Sequence, residues 1–224
     1  WRCSKCRNKF SITSLSWLKG MKIPFRHLWC LIWCWQHKIN INQAKDLTGI
    51  SLVTVRRYYD LFRDNLKLDN EDIILKDKVQ MDEMFVRGGF VIGGKDIRTK
   101  KIRLKVFKEK APNKHHAIDL LFETVKPGSV LCTDGGSIYK GCDKWWPVDH
   151  KCDIHSRFEF SITSEIESVW ANLRTFIRRM YHHVTLDKLP QIVREFEARF
   201  CHQELFDNPL VFLENSLSPV TLAL

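Results

Sequence analysis

The order of patterns along the sequence predicts an α/β protein, a mixed sheet flanked by helices. Three observations carry that reading. Two segments, "KVQMDEMFV" and "KIRLKVFKEK", alternate apolar and polar residues as half-buried strands do. A helical pattern, "HHAIDLLFETV", then leads through "KPG" to a short apolar strand in "SVLCTDGGSIY", which stops at an aspartate and two glycines. Helical spacing follows from Ser164 to about Tyr181 and from about Leu186 to Glu204. Strands, a crossover helix, another strand and then helices build one sheet covered by helices. The first strand runs into "RGG", and a second glycine pair, Gly93 and Gly94, reads with it as tight turns.

Smaller elements precede this region. Residues 1–20 read as part of a zinc ribbon: Cys3 and Cys6 form a CxxC whose thiolates can hold one zinc from a tight turn. A structural zinc takes four ligands, so the pair is a half-site. Its partner pair is expected upstream of Trp1, in a chain that begins inside a longer protein. Residues 21–68 read as helical. "PFRHLWCLIWCWQHK" places Phe25, Leu28, Trp29, Ile32 and Trp33 on one helix face, with Cys30 and Cys34 as buried free thiols. "NQAKDLTGISLVTVRRYYDLFRD" reads as a helix, a turn at Gly49 and a second helix capped by Ser51, with Val55, Tyr58 or Tyr59, and Phe62 on its apolar side. That is the outline of a helix-turn-helix, in which Thr54, Arg56 and Arg57 face phosphates or base edges; a plain helical hairpin is the alternative. The polar stretch "KLDNEDIILKDK" marks the boundary to residues 69–204, the sheet region, and residues 205–224 form a carboxy-terminal helix and tail.

Composition narrows the function. The chain has 224 residues, 44% of them hydrophobic, enough for one ordinary core with appendages. A net charge of +10 spread along it points to a polyanionic partner. The apolar run "HLWCLIWCW" is too short to span a bilayer, and no membrane segment or secretory signal is visible. Eight irregularly spaced cysteines in a large basic chain suit reduced thiols or metal better than a disulfide scaffold, so an intracellular protein is expected. Cys142, His150, Cys152 and His155 form a cruder second metal-ligand set.

Three carboxylates could do chemistry. Asp82 and Asp134 each close a predicted strand before a turn. If the two strands are neighbours, both carboxylates emerge at one end of the sheet, close enough to share Mg²⁺ or Mn²⁺. Two such ions can activate a water or a 3′-hydroxyl and stabilise a leaving oxygen. Glu83 points to the other face by strand alternation. On the helix from Ser164, the apolar positions Ile166, Trp170, Leu173 and Ile177 define a buried face and put Glu165 and Glu167 on opposite flanks. Glu167 shares its flank with Arg174 and Arg178, while Glu165 shares its own with Val169, Asn172 and Phe176. The plain alternative for Glu167 is a capping box with Ser164.

The ordered set "WRCSKCRNKFSITS", "VQMDEMF", "VLCTDGGSIY", "TSEIESVWANLR" and "LPQIVREFEARF" resembles the insertion-sequence transposases whose eukaryotic relatives are the Merlin DNA transposons. The resemblance covers nearly the whole chain. It implies a zinc ribbon, a helix-turn-helix and an RNase H-like catalytic domain. It further implies that Asp82, Asp134 and Glu167 bind two Mg²⁺ or Mn²⁺ ions; the cations on the Glu167 flank, Arg174 and Arg178, are then the expected contacts to DNA phosphates, and Glu165 is the helix-start carboxylate. Ser164 and Arg174 stand where some relatives carry asparagine and lysine. His150 and His155 lie where similar proteins also carry histidine, polar strand residues being their plain reading. The implied partners are terminal inverted repeats, target DNA and a second copy of the chain or a higher oligomer. The implied location is the nucleus for a eukaryotic protein and the cytoplasm or nucleoid for a bacterial one. Two other readings remain: an inactive, domesticated DNA-binding regulator, and a metal-dependent nuclease that cuts without joining.

Overall fold

The computed structural model describes residues 1–11, 13–14, 16–68, 74–152 and 163–217. Two units divide the chain: a helical unit of Trp1–Lys67 with Glu204–Leu224, and a sheet unit of Leu68–Gln203. Among the described residues no helix is long and apolar enough to cross a membrane.

The helical unit contains α1 (Phe25–Gln36), α2 (Ile41–Thr48), α3 (Leu52–Asp64) and α7 (Pro209–Leu217). Asn40 caps α2 by accepting from Gln43 N at 3.0 Å, and Gly49, at φ +68°, supplies the left-handed residue that ends it. Ser51 caps α3, whose buried side carries Val55, Tyr58, Tyr59 and Phe62. The buried face of α1 is Leu28, Leu31, Ile32 and Trp35, while Phe25 and Trp33 are exposed. This corrects the face expected from Phe25, Trp29 and Trp33, and Cys30 is exposed rather than buried. The helix has two apolar stripes, and the one with Trp35 meets more partners: the Trp35 ring lies 5.6 Å from Phe62, 5.1 Å from Phe206 and 5.2 Å from Phe212. Gln36 Nε2 donates to Leu205 O at 2.9 Å, and Asn215 exchanges hydrogen bonds of 3.1 and 2.9 Å with the backbone of Lys67.

The sheet unit contains β1 (Lys78–Val86), β2 (Gly89–Asp96), β3 (Ile102–Phe107), α4 (Lys114–Thr124), β4 (Val130–Thr133), β5 (Asp149–Cys152), α5 (Ser164–Met180) and α6 (Leu189–Cys201). Strand order is β3-β2-β1-β4-β5. The β1–β2 and β2–β3 pairs are antiparallel, and β1–β4 and β4–β5 are parallel. A parallel neighbour needs a crossover, and α4 supplies it between β3 and β4. Val79, Met81, Phe90 and Ile92 pack with Leu120 and Leu121 of α4 in one core cluster. On α5, Ile166, Val169, Trp170, Leu173, Phe176 and Met180 are buried. Phe176 was expected on a flank. It is buried because α6 covers that side, with Phe196 5.5 Å away. The mixed five-stranded sheet flanked by helices is compatible with an RNase H-like fold.

Two local expectations are overturned. Gly93 and Gly94 lie inside β2, not in a turn. A Cβ on Gly93 would stand 2.5 Å from Leu104 Cδ2 and 2.5 Å from Trp170 Cη2, and one on Gly94 would stand 2.7 Å from Leu75 Cδ1. Close approach of side chains, not chain reversal, calls for glycine there. Nor does Asp82 close its strand: β1 continues to Val86, paired with β2.

Candidate active site

What stops near Asp82 is the parallel partner. The β1–β4 ladder ends at Gln80 opposite Cys132, and β4 itself ends at Thr133. Asp82 and Asp134 each follow that last pair by two residues, which sets them side by side where the β1–β4 ladder stops. Asp134 Oδ1 accepts from Gly136 N at 2.8 Å, which folds the chain into a turn right after β4.

The start of α5 is fastened to this edge by side chains from β1 and β2. Gln80, buried on β1, accepts from Ile166 N at 2.9 Å, an N–H of the first turn that it shares with Thr163 O at 3.1 Å. Lys95 of β2, only 6% exposed, reaches Glu165 Oε2 at 2.6 Å, and Lys100 reaches it at 3.3 Å. Trp170 Nε1 donates to Asp82 Oδ2 at 2.9 Å. Thr163, with no side-chain cap bond, takes the N-cap position in place of the Ser164 of the alternative capping-box reading, and its Oγ1 donates to Glu167 Oε1 at 3.2 Å.

Glu165 therefore does more than start a helix. Hydrogen bonds from Lys95 and then Lys100 hold its carboxyl below the usual range. A lowered carboxylate pKa contributes stability above the ordinary carboxylate range, which is lost as pH falls through the folded value. Glu165→Gln leaves the Lys95 ammonium without its counter-charge. The Glu165 side chain is 39% exposed, so solvent screening holds the expected cost at pH 7 to about 0.5–1 kcal/mol in urea unfolding, with the difference from the parent chain vanishing on acidification.

Asp82, Glu83, Asp134, Thr163, Glu167, Trp170 and Arg174 line one open cleft of about 440 Å³. Arg178 is exposed one turn further along α5 and does not line it. Burial raises the Asp82 pKa, and the Asp134 and Glu167 charges add to that rise. Glu83 is the residue that sequence reasoning missed. It does point to the α4 face, where the buried Tyr139 hydroxyl donates to its Oε2 at 3.0 Å, yet both faces open onto the cleft beyond the end of the β1–β4 ladder. Burial first, and then the charges of Asp82 and Asp134, push Glu83 up to about 7.

A raised carboxylate pKa removes stability as pH climbs from the unfolded toward the folded value. Glu83→Gln, which keeps the acceptor for Tyr139, is therefore expected to stabilise the metal-free chain at pH 8. Partial exposure cuts the gain to about 1–2 kcal/mol. Most of it should be gone at pH 5, as urea titrations in chelator would show.

Oxygen-only donors are what hard divalent cations select, so the carboxylates of this cleft fit such ions in kind. Among the described residues, no three His, Cys, Asp or Glu side chains converge to ligand distance in this structure. Glu167 is turned toward Thr163, and three like charges oppose convergence without a cation between them. The second metal-ligand set fares no better. His150 Nε2 lies 3.0 Å from Thr133 Oγ1, Cys152 Sγ lies 3.3 Å from the same nitrogen, and His155 is outside the described residues.

In the helical unit, Arg56 and Arg57 are exposed on α3, whereas Thr54 is half-buried, its Oγ1 2.9 Å from Ser51 Oγ. Cys3 and Cys6 lie in a tight turn. Arg7, at φ +57°, donates from its backbone to Cys3 O at 3.0 Å, and Cys6 holds the Cys3 thiol below its ordinary pKa.

No curated protein matches the chain. Residues 74–200 match the ISXO2-like transposase domain. That span is more than half of the chain and includes every strand of the sheet and the strand ends and helix that bear the cleft's carboxylates, so the chain belongs to the ISXO2-like transposase family.

Proposed function

We propose that the protein is a DDE-type DNA transposase that binds element ends, cleaves phosphodiester bonds and transfers the 3′-hydroxyl ends to target DNA. One observation carries the reading: Asp82 from β1, Asp134 from the end of β4 and Glu167 from α5 line a single cleft together with Arg174. In this reading the three carboxylates hold Mg²⁺ or Mn²⁺. Bound there, the ions supply charge neutralisation at the attacking and leaving oxygens of an in-line displacement. The chain's own groups do the rest. Arg174 presents a guanidinium to the DNA phosphate at the cleft wall, a geometry that suits bidentate contact, and Arg178 extends the cationic side of α5 toward flanking phosphates. Buried Gln80 and Lys95 hold the start of α5 against the sheet, so Glu167 stays at the rim. On α3, Thr54, Arg56 and Arg57 are the proposed contacts to terminal-repeat DNA, a helix-turn-helix role supported by the left-handed Gly49 turn and the exposure of both arginines. Cys3 and Cys6 form one half of a zinc site in the same proposal, supported by their tight turn.

The test supplies terminal-repeat DNA with Mg²⁺ or Mn²⁺ and follows nicked and joined products on gels, with Asp82→Asn as the control. Metal-dependent cleavage with joined products is expected. Binding without any metal-dependent product would overturn the reading in favour of a DNA-binding regulator, and cleavage without joining would reduce it to a nuclease.

A further inference from the structure

We infer that Trp170 is a positioning residue: its indole N–H fixes the Asp82 carboxylate for cation binding, and Gly93 is glycine because the indole must lie over it. The inference rests on the reading of Asp82 as a metal ligand.

The indole is 3% exposed and can only donate, so its N–H needs an acceptor in the interior. It finds Asp82 Oδ2 at 2.9 Å. The neutral donor of α5 is aimed at an anion on β1. A hydrogen bond to a charged acceptor is stronger and more directional than one between neutral groups. This fixed donor on a carboxylate with about four acceptor positions restricts its rotation and leaves the remaining lone pairs for a ligand. Gly93 is the direct cross-strand partner of Asp82 on β2. Even an alanine methyl there would come within 2.5 Å of the indole rim and of Leu104, so the ring sits over Gly93 only because no side chain occupies that spot. The two residues form one device: bare backbone beneath, indole above, carboxylate beside.

The test measures Mn²⁺ binding to the full chain by calorimetry, together with thermal unfolding in chelator and DNA cleavage. Trp170→Phe keeps an aromatic ring and removes the donor. Trp170→benzothienylalanine keeps the indole shape and replaces N–H by sulfur, which covers the case in which the phenylalanine chain folds poorly. Both are expected to weaken Mn²⁺ binding about 10-fold or more, the usual effect of losing a group that orients a ligand, and to lower kcat more than KM for DNA. In an Asp82→Asn background, Trp170→benzothienylalanine should weaken Mn²⁺ no further. Unchanged Mn²⁺ affinity in both Trp170 variants, with Asp82→Asn still losing it, would overturn the positioning role and leave the metal-ligand reading standing. Failure of the parent chain to bind Mn²⁺, or equal binding by Asp82→Asn, would overturn both.

Discussion

Asp82→Asn and Glu167→Gln should each lower metal-dependent DNA cleavage by about 10³-fold or more, the effect of removing several kcal/mol of transition-state stabilisation. Each change keeps side-chain size. Asn at position 82 still offers an oxygen to the Trp170 N–H, and Gln at position 167 still accepts from Thr163, so packing should survive. Burial and neighbouring negative charge already raise the Asp82 pKa, so removing its charge relieves repulsion in the cation-free chain. Unfolding in chelator should therefore show equal or greater stability, alongside the loss of cleavage. Terminal-repeat binding, assigned to α3 in the other unit, should be unchanged in a filter or anisotropy assay. A variant that cleaves normally would remove its residue from the proposed triad. Glu165→Gln is the contrast: it should keep most of the cleavage activity and lose stability instead, because its carboxylate faces Lys95 and Lys100 rather than the cleft.

The largest effect on stability is expected at Glu195, which is fully buried on α6. Its Oε1 accepts from Arg199 at 2.7 and 3.0 Å, and its Oε2 accepts from the Tyr181 hydroxyl at 2.5 Å. Arg199 is itself nearly buried, with its guanidinium 5.5 Å from the Phe176 ring. Glu195→Ala removes the carboxylate that accepts from the buried Arg199 guanidinium and from the hydroxyl of Tyr181, the residue that ends α5. Breaking a buried pair from one side costs about 3–5 kcal/mol. For a unit of this size the melting midpoint should drop by about 10 °C or more. Glu195→Ala with Arg199→Met should recover much of that loss, since an apolar side chain in place of the guanidinium leaves no unpaired charge. If calorimetry found the single variant as stable as the parent, the pair would be ornamental.

Neither α6 group could be identified from sequence. A Glu and an Arg four residues apart are the commonest surface pair on a helix, and only the packing of α5 and α6 shows that this one is inside. The same limit explains the other errors. Period-two alternation is local, so "KVQMDEMFV" and "KIRLKVFKEK" were legible as strands. The reason for Gly93 lies 77 positions away in Trp170, and local reading saw only a turn former. Asp82 and Asp134 were placed at one sheet end by supposing their strands adjacent, and β1 and β4 are indeed adjacent. Alternation sends Glu83 to the other face, but it stops separating residues past the end of the β1–β4 ladder, where both faces share one opening. On α1, two apolar stripes competed, and the choice between them depended on Phe206 and Phe212 from the far end of the chain.

That last contact has a consequence for biosynthesis. The core around Trp35 needs Phe62 from before the sheet unit and Phe206 and Phe212 from after it. A chain leaving the ribosome therefore has every residue of the sheet unit before it has the side chains that close the helical one. Until residues 206 and 212 are made, Trp35 and Phe62 lack the two rings that close their core. A stall or premature stop just before residue 204 would release a chain with a complete sheet unit and an unfinished helical core, a species marked for aggregation or proteolysis by the aromatic rings it cannot yet cover.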